Sequence, residues 1–208
     1  MPTALFSTAY FAPVEYFAHL RRSSDPKMES CEHFIKQTYR NRCIIATANG
    51  PMSLSLPIDK TDSEKTSIRD VKLSDHGNWQ HMHWNSIESA YNSSPFFEYY
   101  ADDLKPFFER KPGFLFDLNE EIRIKMSDLL DISDEVSFTQ EYIKEGETPE
   151  GWLDFRNIIH PKKVLSEADS HFIAKPYYQV FDRKFGFQPN LSILDLLFNM
   201  GPESILYL

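Results

Sequence analysis

Arg42-Cys43-Ile44-Ile45-Ala46-Thr47-Ala48-Asn49-Gly50-Pro51-Met52-Ser53-Leu54-Ser55-Leu56-Pro57-Ile58 is the stretch whose reading sets the fold class. The pair Asn49-Gly50 divides it, and such a pair tolerates the positive φ angles of a type I′ turn. Beyond the turn, Met52, Leu54, Leu56 and Ile58 alternate with Ser53, Ser55 and Pro57, the period of a strand with one buried face. An antiparallel hairpin is predicted, with Pro57 near its edge or end because proline cannot donate to a ladder.

Working outward, residues 3–10 read as a strand and 14–22 as a helix, closed by the breaker Ser23-Ser24-Asp25-Pro26. After the hairpin comes a short strand over 67–73. Trp79, His83, Ile87 and Tyr91 then recur every four residues and give a helix one apolar-aromatic face. Ser93-Ser94-Pro95 ends that helix. A second follows over 96–110, with a break expected at Pro106, and a third over 119–130. Residues 136–143 alternate like a strand, and 145–150 form a polar loop. The tail helix opens at Ser192, with Asp195 completing a short-acid capping box, and Gly201-Pro202 stops it. This pattern predicts an α/β fold: a mixed β-sheet with an antiparallel hairpin, flanked by helices, in a single domain spanning 1–208.

Composition narrows the function classes. A net charge of −9 opposes broad nucleic-acid binding, which needs a basic field, yet leaves room for a local cationic pocket that takes a small anion. Two cysteines, Cys31 and Cys43, are too few for a disulfide framework and suggest reduced thiols in the cytoplasm. The apolar stretch 4–18 lacks a basic leader and is interrupted by Pro13 and Glu15, so it is not a signal peptide. No segment approaches the ~20 apolar residues of a membrane helix, and membrane insertion is not expected.

Familiar catalytic signatures are absent: no G-x-G-x-x-G, P-loop, H-E-x-x-H, Cys-x-x-Cys or G-x-S-x-G occurs. His81 and His83 lie about 200° apart on a helix, so they do not suggest a shared metal. No metal site is expected, and no cofactor is assigned. Several other residues remain as candidates. Arg40 and Arg42, flanking Asn41, point the same way along a strand and make a fork suited to phosphate or carboxylate; the plain alternative is a salt-bridged strand edge. Arg156, Lys162 and Lys163 form a second cationic cluster. His83, half-buried among aromatics, is either a hydrogen-bonded core residue or a general base. Tyr178 and Gln179 can hold sugar hydroxyls or simply pack. Asp195 is either a helix cap or a buried acid.

Several segments, taken in order, resemble one family. They are Ala9-Tyr10-Phe11-Ala12-Pro13-Val14-Glu15-Tyr16-Phe17, Tyr39-Arg40-Asn41-Arg42 and Leu54-Ser55-Leu56-Pro57-Ile58. Trp79 through His83 to Tyr91 follows, then Ser94-Pro95-Phe96-Phe97 and Tyr178-Gln179-Val180-Phe181. The last runs Pro189-Asn190-Leu191-Ser192-Ile193-Leu194-Asp195-Leu196-Leu197-Phe198-Asn199-Met200-Gly201-Pro202-Glu203. Together they look like the WbqC-like family, in a shorter subgroup. Thr8-Ala9-Tyr10 replaces the opening His-Gln-Pro of many members, and Glu15 replaces a glutamine. The resemblance implies a bacterial protein of O-antigen (lipopolysaccharide) and other surface-polysaccharide gene clusters, and a glycine or aminoacyl transferase acting on an amino sugar.

Three readings follow. In the first, an acyl or aminoacyl transferase holds a small anionic or sugar-linked substrate on the arginines and uses His83 as base and Gln179 to place the sugar. The second is a nucleotidyl-transferase-like enzyme on a Rossmann-like sheet, suggested by the strand–loop–helix opening. The third is a non-catalytic binding or assembly protein with an exposed aromatic patch around Phe96, Phe97, Tyr99 and Tyr100. Oligomeric state is not legible.

Overall fold

A four-residue run buried on both faces needs cover on both sides, and Ala4, Leu5, Phe6 and Ser7 are such a run. In the computed structural model, which describes residues 2–60, 65–111, 113–162 and 172–208, they belong to strand β1 (Thr3–Ser7). Helix α1 (Val14–Arg22) follows, with Glu15 in its first turn and His19, Arg21 and Arg22 in its last, as the helix dipole favours. It returns the chain to β2 (Asp25–Glu29), parallel to β1 from Thr3↔Asp25 to Ser7↔Glu29. Two further strands of two residues each complete a parallel sheet: β5 (Ser137–Phe138) beside β2, and β6 (Leu153–Asp154) beside β1. The order β5-β2-β1-β6 places β1 and β2 inside.

The hairpin stands apart as its own two-stranded sheet: β3 (Arg42–Thr47) against β4 (Gly50–Ser55). Its existence follows the sequence reading, but its turn differs. The register pairs Thr47 with Gly50, so Ala48 and Asn49 form the loop. A type I′ turn centred on Asn49-Gly50 needs positive φ at both residues, whereas here Gly50 has it (+102°) and Asn49 does not. The Thr47 hydroxyl stabilises this loop by accepting from the Asn49 N–H and donating to the Gly50 carbonyl.

Helices pack round both sheets. Helix α2 (Trp79–Tyr91) buries Trp79, His83, Ile87 and Tyr91, the face that the four-residue spacing predicted. The next helical stretch divides at Pro106 into α3 (Phe97–Leu104) and α4 (Pro106–Glu109), and α5 (Leu115–Leu129) starts four residues before its expected beginning. A short helix, α6 (Asp182–Phe185), precedes α7 (Ile193–Met200), whose residues 193–199 are all buried. The buried apolar side chains form one contiguous cluster joining both sheets and the helices.

Three strand expectations fail locally. Residues 67–73 form a 3₁₀ turn, Ile68–Asp70, with isolated bridges at Ser67 and Leu73. The strand expected over 136–143 shrinks to β5, and β1 ends at Ser7 rather than residue 10. Conversely, the breaker at Pro26 lies inside β2. Proline is tolerated at the start of a strand, and β5 pairs only from Lys27 onward.

Candidate functional site

The carboxyl ends of parallel strands are where α/β sheets usually open a ligand crevice, and here they carry buried charge. Glu29, the last residue of β2, is fully buried. One carboxylate oxygen accepts from the Cys31 N–H (2.9 Å) and the Thr139 hydroxyl (2.7 Å). The other accepts from the Ile143 N–H (3.0 Å) and Arg156 Nη1 (3.2 Å). Arg156 also forks onto Asp154, Nε to Oδ1 at 2.9 Å and Nη2 to Oδ2 at 2.6 Å. Burial opposes ionisation of Asp154, yet the Arg156 hydrogen bonds hold its carboxyl below the ordinary range. Arg40 makes a second buried fork, to Glu32 at 2.8 and 2.5 Å, and donates to Ser7 Oγ at 2.6 Å.

Arg40 and Arg156 face each other across a recess also lined by Ser7, Thr8, Tyr39 and Phe155. Its volume, about 20 Å³, suits a single water rather than a substrate. The Thr8 hydroxyl is buried there with no hydrogen-bond partner among the described residues. Both guanidinium groups at this recess are paired with carboxylates, so the cluster braces the rim of the sheet.

A much larger recess, about 510 Å³, lies on the other side of the 3₁₀ turn Tyr39–Asn41. That turn is pinned from three directions. The Tyr10 N–H donates to the Tyr39 carbonyl (2.9 Å) and Asn119 Nδ2 to the Arg40 carbonyl (2.8 Å). Leu56 N–H donates to the Asn41 carbonyl (2.8 Å), and Asn41 Nδ2 returns a bond to the Leu56 carbonyl (3.1 Å). Arg40 therefore points to the buried rim, while Asn41 and Arg42 line the open recess with Phe34, Lys36, Gln37, Ile58, Asp59 and Lys60. Among the described residues, Lys36, Arg42 and Lys60 make no ion pair and no side-chain hydrogen bond. Among the described lining residues, Asp59 is the one carboxylate. Lys162 reaches the same wall, its Nζ donating to Gln37 Oε1 at 2.5 Å. In a chain of net charge −9, this concentrates positive potential in one concavity.

The sequence candidates divide accordingly. Arg40 and Arg42 are not a fork, because Arg40 sits in the turn before β3 and the two side chains diverge. The two basic clusters do approach one another, Arg40 meeting Arg156 at the small recess and Lys162 meeting the large one through Gln37. Lys163 lies outside the described residues. His83 joins neither recess. It is 5 % exposed, its Nδ1 is 2.9 Å from the Tyr10 hydroxyl, Trp79 packs against its ring, and a backbone hydrogen bond links it to Ser55. Burial lowers its pKa to about 4. In this position the ring is a neutral bridge in the core, and it does not reach the arginine recess where a base was expected.

Gln179 is likewise committed. Its amide exchanges two hydrogen bonds with the Gln188 backbone and donates to Asp195 at 2.8 Å, so both of its N–H donors are committed inside the protein. Tyr178 is half exposed and lines neither recess. Asp195 does not cap α7. Ser192 does, accepting from the Leu194 N–H, while Asp195 accepts from Tyr91 (3.0 Å), Tyr177 (2.7 Å) and Gln179. Burial outweighs these three donors and raises its pKa to about 6. Cys43 is buried at the hairpin, where burial pushes its thiol up and makes it a poor nucleophile. The aromatic patch does not form as expected either: Phe97 is in the core, and Tyr99 is the strongly exposed member.

Lys36, Lys60, Phe34 and Asp59 were not among the candidates. They come from loops on either side of the hairpin, and isolated lysines in loops carry no periodicity to mark them. Among the described residues no group of three or more His, Cys, Asp or Glu side chains is placed to hold a metal ion. No helix among them is long and apolar enough to cross a membrane.

Fold and site define a mixed α/β protein with a cation-lined recess beside the rim of a parallel sheet. The profile of the WbqC-like protein family matches residues 8–171, and the chain belongs to that family. It is 28% identical over 197 residues to the protein named Uncharacterized protein Rv1507c of Mycobacterium tuberculosis (strain ATCC 25618 / H37Rv), covering 84% of this chain and 83% of that one. No solved structure matches.

Proposed function

We propose that this protein is a cytoplasmic transferase of a surface-polysaccharide (O-antigen) pathway that places an acyl or aminoacyl group, such as glycyl, on an amino sugar. The amine nitrogen attacks the activated carbonyl. An amide bond forms, the bond to the activating group breaks, and the amine proton leaves to solvent or to the departing group. The protein contributes by holding an anionic substrate in place, which lowers the entropic part of the barrier. One observation supports this above the rest: Lys36, Arg42 and Lys60 have no acidic partner among the described residues and share one recess of about 510 Å³. Arg40 and Arg156 brace that wall from behind. The free thiols Cys31 and Cys43 support the cytoplasmic placement.

Mass spectrometry of small molecules that co-purify with the native protein tests the reading. An activated or phosphorylated amino sugar, lost from Arg42→Ala, is the expected result. A tightly held neutral molecule that Arg42→Ala retains would overturn it. The parallel β1–α1–β2 opening favours one further reading, nucleotidyl transfer, which requires nucleoside triphosphate and magnesium to bind together in a titration.

A further inference from the structure

We infer that the recess lined by Lys36, Arg42 and Lys60 is a nucleoside-diphosphate subsite, in which the cations hold the diphosphate and Phe34 and Ile58 receive the nucleoside. This rests on the anionic-substrate reading above and names the kind of anion. Charge comes first. Among the described residues, three cations without an ion pair stand against one lining carboxylate, Asp59, an excess of two positive charges that one monoanionic carboxylate would not balance and a diphosphate would. Arg42 supplies a planar donor set suited to phosphate oxygens, and the two lysines supply mobile point charges.

Size and lining then decide against inorganic phosphate or pyrophosphate alone. A volume of about 510 Å³ falls in the range of sites for small organic molecules, roughly 300–1,000 Å³. Phe34 and Ile58 are both partly buried against the core and give the recess an apolar wall, where an aromatic base can pack. Gln37, Asn41 and Asp59 complete the lining with amide and carboxylate groups of the kind that bind ribose hydroxyls and base edges. The wall is fixed before any ligand arrives: Phe34 N–H is bonded to the Thr66 carbonyl and Asp59 N–H to the Lys72 carbonyl.

Isothermal titration of the full chain with uridine and adenosine diphosphates, the matching monophosphates, free nucleosides and inorganic pyrophosphate tests this. At least one nucleoside diphosphate is expected to bind at one site per chain. Its affinity will exceed those of pyrophosphate and its own nucleoside by roughly tenfold or more, and weaken steeply as salt is raised. Lys36→Glu with Lys60→Glu, both on loops, will abolish binding while circular dichroism and the unfolding midpoint stay close to wild type. Phe34→Ala will weaken the nucleoside diphosphate and leave pyrophosphate unchanged. Pyrophosphate binding as tightly as every nucleoside diphosphate would overturn the nucleoside assignment and leave the anionic reading standing. If no anion binds, both fall.

Discussion

For Asp195 and His83, both buried and titratable, the hydrogen-bond partners decide what substitution will do. Asp195 accepts from three donors, two of them phenols, so Asp195→Ala strands all three in the core. At about 1–3 kcal/mol for each unsatisfied buried group, with partial relaxation, a loss of roughly 3–5 kcal/mol is expected in urea unfolding. The pH dependence has a definite sign. The native carboxyl keeps its proton up to about pH 6, whereas the unfolded one releases it near the ordinary 3.8. The group therefore favours folding most at low pH, and that contribution is lost as pH rises through about 6. His83 acts the other way: its native pKa of about 4 lies below the ordinary 6.5, so its contribution is present above 6.5 and lost as pH falls towards 4. Unfolding free energies of wild type and Asp195→Asn, compared between pH 5 and 7.5, will diverge in the direction that favours wild type at pH 5. His83→Phe is expected to cost about 1–3 kcal/mol through the Tyr10 hydroxyl and the Ser55 backbone. It will leave anion affinity within about twofold; a large loss of affinity at normal stability would return His83 to the site.

At the scale of elements, what could be read in the sequence tracks how much side-chain pattern an element carries. Helix α2 begins and ends where its four-residue spacing placed it, and the hairpin pairs through the alternation at Leu54 and Leu56. Strands β5 and β6, two residues each, exist only because β2 and β1 offer them an edge, and two residues have no period to detect. The site shows the same division. Asn41 and Arg42 were visible because they enter a legible strand. Lys36 and Lys60 were not, and the apparent fork failed because a 3₁₀ turn redirects Arg40 towards Glu32. The end of α7 offers a direct test of packing between elements. Gly201 sits at φ +54°, and a Cβ there would lie 2.5 Å from Cδ1 and 2.6 Å from Cγ of Phe96. Cγ is the anchored end of the ring, so the ring cannot simply swing clear. Gly201→Ala is expected to lower stability by about 2–3 kcal/mol, combining overpacking with an unfavourable backbone angle. Guanidinium unfolding measures it, and a wild-type midpoint would show that the α3–α7 contact is soft.

For the whole molecule, a cationic concavity in a chain of net charge −9 couples ligand binding to stability. A ligand at a hundred times its Kd adds about 2.7 kcal/mol to the folded state. In a chain of 208 residues that corresponds to a rise in Tm of roughly 5–10 °C, and the Lys36→Glu, Lys60→Glu double variant will show none of it. Thermal scans with and without nucleoside diphosphate measure both. The turn at Tyr39–Asn41 determines how that ligand enters. Its three carbonyls are tied to Tyr10, Asn119 and Leu56, and Arg40 is locked behind it by two carboxylate contacts to Glu32. A wall fastened this way does not reshape itself around a guest. Capture will follow a single exponential whose rate climbs in proportion to concentration, without the plateau that marks a slow rearrangement, and the guest must arrive already fitting the mould.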